Sequence, residues 1–324
     1  MARKKLSFVM MPRLASSFGS TPLPRGSGRR SEALAPGQRP RWTTAGSLPL
    51  APMDFSIVST RSRAKSSGSK YAQREPPTWG FAASPLVTAG VVIVHAGGQG
   101  DKGMLAYDRE SGELRWGAPT GDHSYSSPQF AEILGQACVL MLTNDGLTIV
   151  DPTDGAVVGE HAWKNEFYRV VQPLVVEERS VLLGTAMGGG TQRVELRQEG
   201  GKLLATELWT SRRMSPYYND YVVYDGHLYG FDNNIFACVD LADGRRKWKR
   251  GRYGNGQVLL LPDEGQLLVI SEDGELVLLS ANPEKLTELT RFRVLEGRTW
   301  NHPVLVGKRL FVRNADFEYW HIWR

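Results

Sequence analysis

The feature that most constrains this 324-residue chain is that it repeats itself. Three segments share one layout: Met104-Leu-Ala-Tyr-Asp108-Arg-Glu-Ser-Gly112-Glu-Leu-Arg-Trp116, Leu147-Thr-Ile-Val-Asp151-Pro-Thr-Asp-Gly155, and Ile235-Phe-Ala-Cys-Val-Asp240-Leu-Ala-Asp-Gly244-Arg-Arg-Lys-Trp248. In each, an apolar strand ends at Asp, and Gly follows four residues later, where a tight turn needs a residue tolerant of positive φ. A return strand then carries a large aromatic anchor, Trp116 or Trp248, eight residues after the Asp. The second copy departs, with Gly159 at the Trp position and Trp163 four residues late.

Weaker copies fill the gaps, so the Asp position recurs at 108, 151, 197, 240, 280 and 322. A second ladder opens each unit at Ser84, Ser127, Gln172, Asn219, Gln257 and His302. Both markers share one period of about 43 residues. From about Pro76 onward, apolar runs of four to six residues alternate with Gly/Asp/Asn turns, and no 3.6-residue period persists. Four short strands per unit of this length predict an all-β β-propeller, here of about six visible four-stranded blades. One such sheet is too small to stand alone, and stacking the sheets face to face buries both surfaces. The sixth unit stops before its outer strand. Phe55–Val58 or the segment 78–81 is expected to supply it.

Charge divides the chain in the same place. Residues 1–75 hold 14 basic and three acidic side chains, whereas residues 76–324 hold 25 and 31. The positive balance therefore belongs to a Ser/Pro/Arg-rich stretch, and the repeat body is acidic, which argues against a nucleic-acid partner. Poor in apolar residues, the stretch 1–75 is predicted to be a disordered tail, with the propeller domain over 76–324. Its first residues imitate an export signal, but the apolar run Leu6–Met11 is short and Pro12 ends it. A transit peptide and an extension from a misplaced start stay open beside disorder. No apolar run is long enough for a transmembrane segment.

The unit Ser-Ser-Pro … Leu-Ala-Tyr-Asp-x-x-x-Gly-x-x-x-Trp resembles the PQQ-like (pyrroloquinoline-quinone-type) propeller repeat over about three quarters of the chain. That family includes the quinoprotein alcohol dehydrogenases and a propeller lipoprotein of outer-membrane β-barrel assembly. The resemblance implies a bacterial, exported or periplasmic protein. It also implies seven or eight blades, so that six suggest a shortened propeller. It leaves two functions open: a non-catalytic scaffold with a protein or small-ligand partner and no cofactor, or a dehydrogenase-like protein using PQQ with calcium. The second needs a catalytic Asp, Glu/Asn/Asp ligands and, in many members, adjacent cysteines. Cys138 and Cys238 are 100 residues apart, and each sits in an apolar run that suggests a buried side chain. Asn219-Asp220 and Asn233-Asn234 could ligate a cation through oxygen, or simply be turn residues.

Other chemistry finds little support. The six His residues lack metal-binding spacing, and no Gly-x-Ser-x-Gly elbow exists. Gly188-Gly189-Gly190 lacks the Lys-Ser/Thr of a phosphate loop and suits a hairpin. The turn residues Asp108, Gly112, Asp151, Gly155, Asp240 and Gly244, with Trp116 and Trp248, are expected to be structural anchors, as is Trp209. The binding candidates are the ladder residues Ser84, Ser127, Gln172, Asn219, Gln257 and His302. They are expected to ring one mouth of the central channel near Tyr125, Tyr218 and Trp300, either as a ligand rim or as inter-blade hydrogen-bonding groups.

Overall fold

The computed structural model describes residues 78–314 apart from 167 and 187, together with strands at 55–58, 66–70 and 318–322. The tail expected to be disordered otherwise lies outside the described residues. Its strands β1 (Phe55–Val58) and β2 (Ser66–Lys70) pair with each other in a sheet of their own.

The body is a succession of antiparallel meanders. Blade 1 comprises β3 (Leu86–Thr88), β4 (Val91–His95), β5 (Met104–Asp108) and β6 (Leu114–Ala118). Blade 2 comprises β7 (Gln129–Ile133), β8 (Gln136–Leu142), β9 (Gly146–Val150) and β10 (Val157–Ala162). Blade 3 has β11 (Leu174–Val176), β12 (Ser180–Thr185) and two ten-residue strands, β13 (Gly190–Glu199) and β14 (Lys202–Ser211). Blade 4 has β15 (Val222–Tyr224), β16 (His227–Asp232), β17 (Ile235–Asp240) and β18 (Arg246–Arg252). Blade 5 has β19 (Gln257–Leu261), β20 (Gln266–Ile270), β21 (Glu275–Ser280) and β22 (Thr287–Arg293). The sixth sheet holds β23 (Val304–Val306), β24 (Arg309–Arg313) and β25 (Glu318–Ile322). First strands of neighbouring blades adjoin, β3 beside β7 and β15 beside β19.

The core lies between the sheets. Separate apolar clusters fill the junctions of blades 1 and 2 (Ile93, Met104, Trp116, Met141), 2 and 3 (Leu140, Ile149, Val181, Val194), and 3 and 4 (Leu182, Trp209, Leu228). Two more fill the junctions of 4 and 5 (Phe231, Trp248, Val269) and of 5 and 6 (Ile270, Leu276, Leu310). Both faces of each inner sheet are therefore buried, which explains why the middle strands read as continuous apolar runs instead of alternating. Cys138 and Cys238 are free, fully buried members of these clusters. Burial pushes their thiols up, to about 11 and about 12.

Two expectations are corrected. The segments offered to complete the sixth sheet do not do so. β1 pairs only with β2, and residues 78–81 form a turn in which Gly80 takes φ +71. Nor are the blades all separate sheets. Blades 2 and 3 join into one eight-stranded sheet because β10 pairs in parallel with β14, Gly159 opposite Leu203 and Glu160 opposite Leu204. A Cβ on Gly159 would lie 2.7 Å from the Leu203 carbonyl oxygen, so only glycine admits this approach.

Candidate functional site

Two sets of repeated residues tie the blades together. The first is the turn with its tryptophan. Asp108 Oδ1 accepts from the N–H groups of Glu110 (2.9 Å) and Ser111 (2.8 Å), and the Gly112 N–H closes the turn on the Asp108 carbonyl at 2.9 Å. Those backbone donors hold the Asp108 carboxyl below its ordinary value. Asp151 and Asp240 repeat the first of these carboxylate bonds, from the Thr153 and Ala242 N–H groups, and the glycine closure, and Gly112, Gly155 and Gly244 take φ of +70, +77 and +70. The indole of one blade then sits over the next blade's turn. Trp116 Nε1 donates to Pro152 O, Trp209 Nε1 to Leu241 O and Trp248 Nε1 to Asn282 O, each at 3.0 Å. A Cβ on Gly155 would lie 2.6 Å from the Trp116 ring, and one on Gly244 2.8 Å from the Trp209 ring. Glycine thus serves both the left-handed turn and the seat of the aromatic. Trp163 joins no such tie among the described residues; its ring stacks under the buried Arg169 guanidinium at 4.2 Å.

The second set is the ladder. Ser84, Ser127, Gln172, Asn219 and Gln257 are all buried, and His302 is half-buried. Ser127 Oγ accepts from the Ser84 N–H at 2.8 Å, and Gln172 Nε2 donates to Ser127 O at 3.1 Å. Asn219 Nδ2 donates to Gly256 O (2.5 Å) and Gln257 Nε2 to Trp300 O (3.1 Å), while Gln257 Oε1 accepts from the Asp220 N–H (3.4 Å). His302 Nε2 lies 3.8 Å from Asp220 Oδ2. The ladder thus bonds blade 1 to 2, 2 to 3, 4 to 5 and the start of blade 5 to Trp300, with no ladder bond from blade 3 to blade 4 among the described residues, and these buried polar atoms point at neighbouring backbone more than at solvent. Tyr125 and Tyr218 are buried beside it, Tyr125 accepting from the Trp79 N–H at 3.1 Å and Tyr218 meeting Trp300 edge to face at 5.4 Å.

Two polar hubs were not singled out in the sequence. Glu272 Oε1 accepts from Trp300 Nε1 (2.7 Å), and Oε2 accepts from the Asn255 N–H (3.0 Å) and Nδ2 (3.3 Å). Partial burial raises its pKa, but the Asn255 and Trp300 donors outweigh that and hold it below 4.5. With Asp273, Arg293, Gly297 and Arg298 it lines an open cleft of about 530 Å³. Asp232, buried, takes Arg246 Nη2 at 2.5 Å and Lys249 Nζ at 2.7 Å. Both hubs join residues that are brought together only by strand and blade packing, so no motif marks them.

The residues weighed for a PQQ and calcium site are dispersed over several blades and connections. The two thiols belong to blades 2 and 4, Asn233 lies in the β16–β17 turn at φ +56, and Asn219 gives its amide N–H to Gly256 O while its buried Oδ1 has no hydrogen-bond partner among the described residues. Among the described residues, no three His, Cys, Asp or Glu side chains gather as a metal site would need. Gly188, in the β12–β13 hairpin connection, and Gly190, the first residue of β13, are both at positive φ. No helix among the described residues is long and apolar enough to cross a membrane.

Face-packed four-stranded meanders tied by tryptophan-capped Asp-x-x-x-Gly turns define a β-propeller of the PQQ-like repeat class. The family model described as outer membrane protein assembly factor BamB matches residues 62–250, and the chain belongs to that family. BamB from Moraxella catarrhalis is 16% identical, with 72% of this chain and 81% of that chain covered and a TM-score of 0.41. The structure of U3-55K is 11% identical, with 77% and 83% covered and a TM-score of 0.52. The RRP9 WD40 repeats are also 11% identical, with 72% and 77% covered and a TM-score of 0.50. The last two likenesses concern the propeller fold alone. No curated protein sequence matches the chain.

Proposed function

We propose that the protein is a non-catalytic propeller scaffold that binds other proteins during outer-membrane protein assembly, acting outside the cytoplasm. Membership of the assembly-factor family carries this assignment. The local chemistry agrees with it: Ser127, Gln172 and Gln257 of the ladder are engaged between blades, though Asn219 Oδ1 is not, and both oxygens of Glu272 are engaged by protein donors. Repeat folds of this kind present loops and strand edges to partners while the rigid stack fixes their spacing. Capture of outer-membrane assembly proteins by the tagged full chain, above the level captured by an unrelated propeller, is the expected result. No enrichment, combined with dye reduction after addition of PQQ and calcium, would overturn the scaffold in favour of a dehydrogenase.

A further inference from the structure

The outer strand of blade 4 departs from its counterparts. The run Gly244-Arg-Arg-Lys-Trp-Lys-Arg-Gly-Arg252 holds six cations and no acid. Strand β18 itself carries five, whereas β6, β10, β14 and β22 carry one, none, one and two. Cations on an edge strand discourage unwanted pairing, but the other edges manage with two at most. Asp232 neutralises part of the run by taking Arg246 and Lys249, and Asp243 lies 3.5 Å from Arg245. Lys247, Arg250 and Arg252 are exposed and form no ion pair among the described residues. Arg246 also donates twice to the Arg213 carbonyl, which brings the exposed Arg212-Arg213 pair alongside.

The geometry points to this strip as a docking site for an extended acidic polypeptide, an inference that rests on the scaffold function proposed above. Its shape and surroundings select that occupant. Without the six cations, residues 76–324 hold 19 basic and 31 acidic side chains, so an anionic bilayer plane would be repelled by the flanking surface. A linear partner meets only the strip. Single-stranded nucleic acid calls for aromatic platforms beside the charges. Trp248, the run's one aromatic, is buried and its N–H is bound to Asn282 O. Arginine forks suit carboxylates, and β18, last in its sheet, has an open backbone edge. β10 shows that an outer strand of this protein accepts another strand beside it.

Fluorescence anisotropy of the full chain with a labelled Asp/Glu-rich peptide tests this. The triple variant K247Q/R250Q/R252Q is expected to bind about tenfold more weakly. R291Q/R293Q, on blade 5, is expected to bind as the unmodified protein does, and the Asn/Gln version of the peptide is expected not to bind. Circular dichroism confirms that each variant is folded, and K247A/R250A/R252A repeats the measurement with smaller side chains. Equal binding by the triple variants, or by the Asn/Gln peptide, would overturn the proposal. So would binding of phosphatidylglycerol vesicles or single-stranded DNA without the peptide, or self-association lost in the triple variant. If the triple variant still captures outer-membrane assembly proteins, the strip falls and the scaffold stands; if the unmodified chain captures none while it binds the peptide, the scaffold falls instead.

Discussion

Replacing glycine by alanine in equivalent turns isolates the energy of the tryptophan seats. Gly112 and Gly155 share one turn geometry, with φ +70 and +77, so alanine meets the same left-handed backbone penalty, about 1–2 kcal/mol, at both. Nothing lies within 4 Å of a Cβ on Gly112, whereas one on Gly155 would stand 2.6 Å from Trp116 Cε3. There the indole must lift, adding about 1–3 kcal/mol of overpacking and about 1 kcal/mol if its bond to Pro152 O is lost. Gly155→Ala is therefore expected to be destabilising by about 2–4 kcal/mol more than Gly112→Ala. With a urea m-value of about 3 kcal/mol/M, the midpoints separate by about 0.7 M or more. In a Trp116→Ala background the added cost should disappear, leaving Gly155→Ala equivalent to Gly112→Ala. Coincident urea curves for the two single variants would show that the seat contributes nothing, and a gap that survives loss of Trp116 would assign it elsewhere.

Gly159→Val is expected to separate β10 from β14, since its Cβ would collide with the Leu203 carbonyl. Amide exchange at Leu203 and Leu204 should accelerate at least about tenfold, while exchange in blade 5 stays unchanged. The Glu272 carboxyl, held below 4.5 in the fold, contributes stability that is present above that pH and lost as pH falls through its folded value. Acid unfolding followed by tryptophan fluorescence should show this limb, and Glu272→Gln should flatten it; an unchanged limb would mean that the Asn255 and Trp300 donors do not stabilise the ionised form.

Much of the fold could be read from the chain because its determinants are local. The Asp-to-Gly turns and the tryptophans eight residues after Asp108 and Asp240 sit within single hairpins, and the apolar runs follow from burial on two faces. What escaped depends on neighbours distant in sequence. Gly159 looked like a gap in the motif, and only the approach of Leu203, 44 residues later, shows what the gap admits. The ladder positions were visible, but their use as inter-blade bonds depends on partners such as Gly256 O and Trp300 O, carbonyls that no side-chain pattern encodes. Glu272 and Trp300 stand 28 residues apart in different blades, and Asp232 of β16 meets Arg246 of β18 across the intervening strand β17. The return strand through Trp248 was legible in the sequence; the concentration of cations along it was not singled out there.

The parallel pairing of β10 with β14 bears on how the molecule yields to force. At the other junctions among the described residues, only side-chain bonds, the indoles' among them, and packing hold adjacent outer strands, and a pull on the chain can peel one blade at a time. Blades 2 and 3 share a backbone ladder, reinforced by Lys202 Nζ on Val157 O at 2.5 Å. Under tension they would rupture as a single eight-stranded unit, releasing about twice the contour length of any other step.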